Sequence, residues 1–310
     1  MLLRLGAYLL FLLLLSSVKD VFAFSTDPGL LQLVPPQTRL VAGMSRSAAQ
    51  GNTGSFLLIA TENRVDLNDF FALTGGDASR RLNGVVFVAG RDSGTHRNEH
   101  SLLANGQFDR ESIFRFASAG ASRESYRGVP VLVVPPFKRE RETFREVRWL
   151  AIPEEHLAVF GSVESVQQEL DRWIERTAPD PMLMARLERL KGQADSWCVL
   201  LAGDGVGIAE EVLGMLDPKL GKVAHEGELL AYGIKFGRKI EVMAAADPFP
   251  RKSRNGRSGA PGSEGAGAMH MFSFPLEDGV GSRAVVKVSR RRYEEWIEQT
   301  APRDSVLDAR

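Results

Sequence analysis

Five residues carry the most specific chemical pattern in the chain: His96-Arg-Asn-Glu-His100. This matches H-x-x-E-H, the inverted signature of zinc peptidases. That chemistry needs two imidazoles one helical turn apart, His96 and His100, with Glu99 as the base that activates zinc-bound water. A downstream carboxylate completes the ligand set, and Glu175 stands at a suitable separation. The surroundings oppose it. The five residues follow Gly90-Arg-Asp-Ser-Gly-Thr95, and an apolar strand-like run begins at Ser101. They read as a hairpin loop, in which two histidines do not converge on one ion. The expectation is therefore no metal and no catalytic centre, with a zinc peptidase as the alternative.

Other candidates are weaker. Gly203-Asp-Gly-Val-Gly207 follows a strand and precedes a helix, as a phosphate-binding turn does. It lacks the last glycine of the dinucleotide fingerprint and the lysine of a P-loop. Cys198, the single cysteine, sits in the apolar run Trp197–Ala202 and reads as a core residue; no disulfide can form within the chain. His156, His225 and His270 stand apart from one another and read as surface residues. No cofactor is expected.

Address comes from the first 23 residues. Arg4 precedes an apolar run from Leu5 to Leu15, and Val21-Phe-Ala23 offers a signal-peptidase site. The expectation is export, to the periplasm or beyond, with cleavage after Ala23. The alternative is an uncleaved anchor, but the apolar stretch falls short of the roughly 20 residues a spanning helix needs. No later stretch reaches that length, so no membrane span is expected in the mature chain. Without Arg4, Lys19 and Asp20 the chain holds 37 basic and 38 acidic residues. Such balance creates no field for nucleic acid. The partner, an envelope or extracellular one, is not named by any residue.

The elements that must position these groups follow from periodicity. Strands are expected at Arg39–Gly43, Ser55–Ala60, Gly84–Ala89 and Ser101–Phe108. Asp109 caps a helix over Arg110–Ala119. Ser125–Val134 folds back at Arg127-Gly128. Strands at Val147–Ile152 and Leu157–Phe160 lead to a helix capped by Ser162, with Val163, Val166, Leu170, Trp173 and Ile174 on one face. Asp180-Pro181 opens another helix, and Ile208, Val212 and Leu216 mark one more. A hairpin turns at Gly237-Arg238. Residues 249–268 are rich in glycine, serine and basic side chains and read as a flexible loop. Strands at Met271–Phe274 and Arg283–Val288 precede a helix carrying Tyr293, Trp296 and Ile297.

Gly106-Gln-Phe-Asp109, followed by a helix and then Tyr126-Arg-Gly128, resembles a pattern of exported bacterial proteins of unknown function. Leu33-Val-Pro-Pro36 and Phe160-Gly-Ser162 fit the same pattern. The resemblance spans about residues 30–200. It implies a non-enzymatic exported protein and brings no catalytic residue with it.

The expected fold is α+β, with mainly antiparallel sheets covered on one face by helices, built as two related strand-helix-strand-strand units. The expected division is 1–23 signal, 24–192 first unit with trailing helices, and 193–310 second unit interrupted by the loop. The expected function is a non-catalytic binding or structural protein outside the cytosol.

Overall fold

The unbroken apolar run Gly84–Ala89 pairs along both of its edges and so belongs to a ladder, not an isolated hairpin. The computed structural model describes residues 27–45, 67–75, 81–91, 98–116, 121–136, 147–190, 194–200, 213–248 and 282–300. The signal segment, His96, Ser55–Ala60, Gly203–Gly207, the 249–268 loop, His270 and Met271–Phe274 lie outside the described residues.

Within them the first elements are α1 (Pro28–Leu33), β1 (Leu40–Ser45), α2 (Leu67–Thr74), β2 (Gly84–Arg91) and β3 (Asn98–Asn105). Next come α3 (Arg110–Phe116), β4 (Ser122–Tyr126), β5 (Val129–Val134), β6 (Arg148–Glu154) and β7 (Leu157–Ser162). Then follow α4 (Val163–Glu175), α5 (Pro181–Arg189), β8 (Ser196–Leu200) and α6 (Pro218–Glu226). The series closes with β9 (Gly227–Lys235), β10 (Ile240–Pro248), β11 (Ser282–Val288) and α7 (Arg290–Thr300).

All eleven strands join one sheet, in the order β11-β10-β9-β8-β1-β2-β3-β7-β6-β5-β4. Every pairing is antiparallel, as expected. Strands from either side of residue 192 lie side by side, because β8 pairs with β1 from Leu40↔Leu200 to Met44↔Ser196.

Successive strand residues point to opposite faces, and two separate apolar clusters result. Val85, Phe87 and Ala89 join Phe70 of α2, Ile113 of α3, Leu220 of α6 and Tyr293 of α7. Val86 and Val88 join Leu30 of α1, Val166 and Leu170 of α4, and Leu183 and Leu187 of α5. Helix residues therefore join an apolar cluster on each side of β2. The cause is visible in β2: its alternate residues are apolar on each side, so neither face tolerates water.

Three helices share one start signal. Asp27, Asp180 and Asp217 each precede a proline, and each carboxylate accepts from the backbone N–H two residues on, at 2.8–2.9 Å. Proline suits the first turn because its missing N–H would have no partner there. The expected helix over Ile208–Leu216 is described only at 213–216, and α6 follows it after Asp217.

One expectation needs correction. The segment ending at His100 is not wholly a loop: Asn98, Glu99 and His100 open β3, opposite Arg91, Gly90 and Ala89. The β2 ladder simply extends past the apolar stretch. The helix begun by Asp109 is described over Arg110–Phe116, and residues 117–119 lie outside the described residues.

Candidate functional site

The hairpin β4–β5 starts the site. Its two-residue turn places Arg127 and Gly128 at φ +49° and +87°, the mirror-image turn that suits strand twist. A left-handed arginine costs energy, and its side chain offsets this. Arg127 donates to Asp171 Oδ1 at 2.6 Å and to Glu175 Oε1 at 3.2 Å, both on α4. These hydrogen bonds hold the guanidinium pKa above its ordinary value. The Tyr126 hydroxyl donates to both Asp171 oxygens at 3.1 Å. Burial, then that carboxylate, push the phenol pKa up. The hairpin tip is thus fastened to the last turns of α4.

Helix α4 exists because Ser162 caps it and Val166 and Leu170 face the sheet. It ends at Arg176 in the left-handed conformation, φ +51°. Arg172 Nε donates to Gln32 O at 2.8 Å, which ties this end to α1. On the opposite side, the β6–β7 turn presents Glu154 and His156. Glu154 Oε1 accepts from Trp173 Nε1 at 3.1 Å, and Oε2 lies 3.0 Å from His156 Nε2.

These elements enclose an open cleft of about 830 Å³. Its floor is apolar, from Leu30, Leu33, Val129, Leu157 and Ile174; its rim is Asp27, Asn105, Arg110, Arg127, Glu154, His156, Trp173 and Arg176. Asn105 Nδ2 donates to Asp27 Oδ2, so Asp27 serves α1 and β3 together. Arg110 donates to Ile152 O at 3.4 Å. A second cleft of about 670 Å³ lies beyond the same turn and shares Arg110, Pro153, Glu154 and His156 with the first.

Of the zinc pattern, His96 lies outside the described residues, and Glu99, His100 and Glu175 do not assemble here. Glu99 and His100 lie in β3, and Glu175 is engaged by Arg127. The α4 carboxylate that meets this part of β3 is Glu169, which accepts from Ser101 Oγ. Glu175 lies six residues, about 9 Å, further along the helix. Among the described residues, no three of His, Cys, Asp or Glu come together as a metal site.

Cys198 is buried in β8, and burial pushes its thiol pKa up to about 12, against a hydrogen bond with Tyr232 that lowers it. Such a thiol is a poor nucleophile. Of the basic run Arg290–Arg292, Arg291 pairs with Glu295 at 2.9 Å and Arg292 donates to Leu216 O at 2.8 Å.

Sequence reasoning placed Arg127 only in a turn and His156 only at the surface, and gave Arg110, Glu154 and Arg176 no role. No local spacing marks them, because the cleft gathers residues from 27 to 176. The Asp-Pro signal was available for α1 and was the one usable pointer to its mouth.

No family model matches the chain, and no curated protein matches it. Among solved structures, crystal form I of TP0453 is similar, with a TM-score of 0.50 at 11% identity, covering 89% of this chain and 98% of that one. Crystal form IV of TP0453 gives a TM-score of 0.44 at 12% identity, over 87% and 96%. The first likeness is one of fold.

Proposed function

We propose that the protein is exported and binds a ligand in the 830 Å³ cleft without transforming it. The export half rests on Arg4, the Leu5–Leu15 run and Val21-Phe-Ala23. Intact-mass analysis of protein from its native host tests it. The expected mature chain begins at Phe24; a mass that includes residues 1–23 supports the anchor. Among the described residues, no helix is long and apolar enough to cross a membrane.

The binding half rests on one observation: an apolar floor and a polar rim share a single cleft whose rim side chains are held by hydrogen bonds and ion pairs. Arg127 is fixed by Asp171 and Glu175, and Trp173 by Glu154. Bracing of this kind lowers the entropy cost of ligand capture. The volume suits a small molecule. The lining groups are guanidinium, carboxylate, imidazole, indole, amide and aliphatic, and the carboxylates Asp27 and Glu154 are already engaged by neighbouring groups.

Pro130 is an exposed residue of the lining, so Pro130→Trp fills the cleft without touching the core. Thermal-shift screening of wild type and variant against a small-molecule library tests the reading. Stabilising compounds are expected to lose their effect in the variant while its own melting temperature stays unchanged. Equal responses in both proteins would move the binding site elsewhere.

A further inference from the structure

We infer that the ligand is a small organic anion, its acidic group on Arg176 and its apolar body against Trp173 and Ile174; this rests on the cleft being a binding site. The hydrogen-bonding capacity left open on the rim decides the sign. Asp27 is taken by the Gly29 amide and Asn105. Glu154 is divided between Trp173 and His156. Arg127 is engaged by two carboxylates, Asp171 and Glu175. Arg176 is different: among the described residues its exposed side chain has no hydrogen-bond or ion-pair partner. Arg176 is therefore the charged rim side chain whose donors are all open to a ligand.

Position then decides the shape. Arg176 follows Trp173 by three residues, and its N–H donates to the Trp173 carbonyl at 3.3 Å. Arg176 and Trp173 line the same cleft at the end of α4, so one ligand can reach both. Guanidinium binds carboxylate, sulfonate or phosphate oxygens with two parallel N–H donors. The indole and Ile174 offer apolar surface in the same cleft. An inorganic anion would leave that surface wet, and a neutral hydrocarbon would leave the charge unused.

Two dyes with one ring system test this on the full chain: 8-anilinonaphthalene-1-sulfonate and its neutral analogue N-phenyl-1-naphthylamine. Binding is read by fluorescence titration. The sulfonate is expected to bind wild type at least tenfold more tightly than the amine. Arg176→Asn, which tolerates the left-handed cap conformation, is expected to weaken the sulfonate at least tenfold and the amine less than twofold. Arg176→Lys should retain the sulfonate within about threefold, and melting curves confirm that both variants fold. Pro130→Trp should weaken both dyes. If Pro130→Trp weakens both but Arg176→Asn leaves the sulfonate unchanged, or the amine binds as tightly as the sulfonate, the cleft binds without choosing anions and the inference fails alone. If the sulfonate does not bind, or neither dye responds to Pro130→Trp, the cleft reading fails with it.

Discussion

The indole of Trp197 lies over the α-carbon of Gly43, so close that a methyl group built on Gly43 would overlap the ring. The two residues are cross-strand partners, Gly43 on β1 and Trp197 on β8. Their contact is the seam where the chain's later strands join its earlier ones. Trp197 is buried and packs with Val41, Val199, Leu187 and Leu190 on the face that carries α5. The ring has no room to retreat. Gly43→Ala is therefore expected to cost about 1–3 kcal/mol, the usual toll of overpacking. The loss should shrink when Trp197 is shortened to Leu, because the two sites are coupled. Denaturant melts of the two single variants and the double variant measure this. Strictly additive losses would mean the contact is not the cause.

The Asp-Pro starts give a graded prediction. Asp180 accepts one bond, from the Met182 amide at 2.8 Å. Asp27 accepts from the Gly29 amide and also from Asn105, 78 residues away. Asp180→Ala should cost about 1 kcal/mol, an ordinary N-cap loss. Asp27→Ala should cost more, since a partly buried amide loses its acceptor as well. Equal losses would show that the Asn105 bond contributes nothing.

Much of this fold was legible because it is periodic. Val163, Val166, Leu170 and Ile174 mark α4, and Ser162 marks its start. Arg127-Gly128 marks a hairpin turn. What was not legible is adjacency. Nothing in the Trp197–Leu200 run says that its partner is Leu40–Met44 and not β7, which precedes it. Strand order is decided by which apolar faces match over long separations, and all these strands are similarly apolar. The cleft failed to show for the same reason: Asp27, Asn105, Glu154 and Arg176 meet only once the sheet is ordered. The capping of α6 by Asp217 was missed for a lesser reason, since Asp217-Pro218 repeats the signal recognised at Asp180-Pro181.

Glu169 is a fully buried carboxylate beneath α4, and Ser101 Oγ donates to it from β3. Removing a donor from a buried carboxylate exposes its desolvation cost, about 1–3 kcal/mol and more where charge is involved. Ser101→Ala should therefore destabilise the protein by at least about 1 kcal/mol, although it removes a single oxygen. Ser101→Thr, which keeps the hydroxyl, tests whether the bond or the volume matters. The Ala loss must exceed any loss seen at exposed Ser125→Ala, or the bond is not stabilising.

Alkaline pH should find the protein at Cys198. Burial lifts the folded-state thiol pKa to about 12 from its ordinary 9.0. Between these values the unfolded chain has lost the proton while the folded chain keeps it. Stability rises with pH only where the unfolded state binds more protons, so here it falls. The thiol's contribution is complete below about pH 9 and is lost progressively toward pH 12. Three units at about 1.4 kcal/mol each set the loss at no more than roughly 4 kcal/mol. Tyr232, hydrogen-bonded to the same thiol and with its own pKa raised chiefly by burial, adds to the fall above pH 10. Denaturant melts from pH 7 to 11 should show wild type losing stability faster than Cys198→Ala above pH 9, with parallel curves below it. Iodoacetamide at pH 8 should label the thiol only in denaturant. Rapid labelling of the folded protein, or parallel curves throughout, would show that Cys198 is open to solvent.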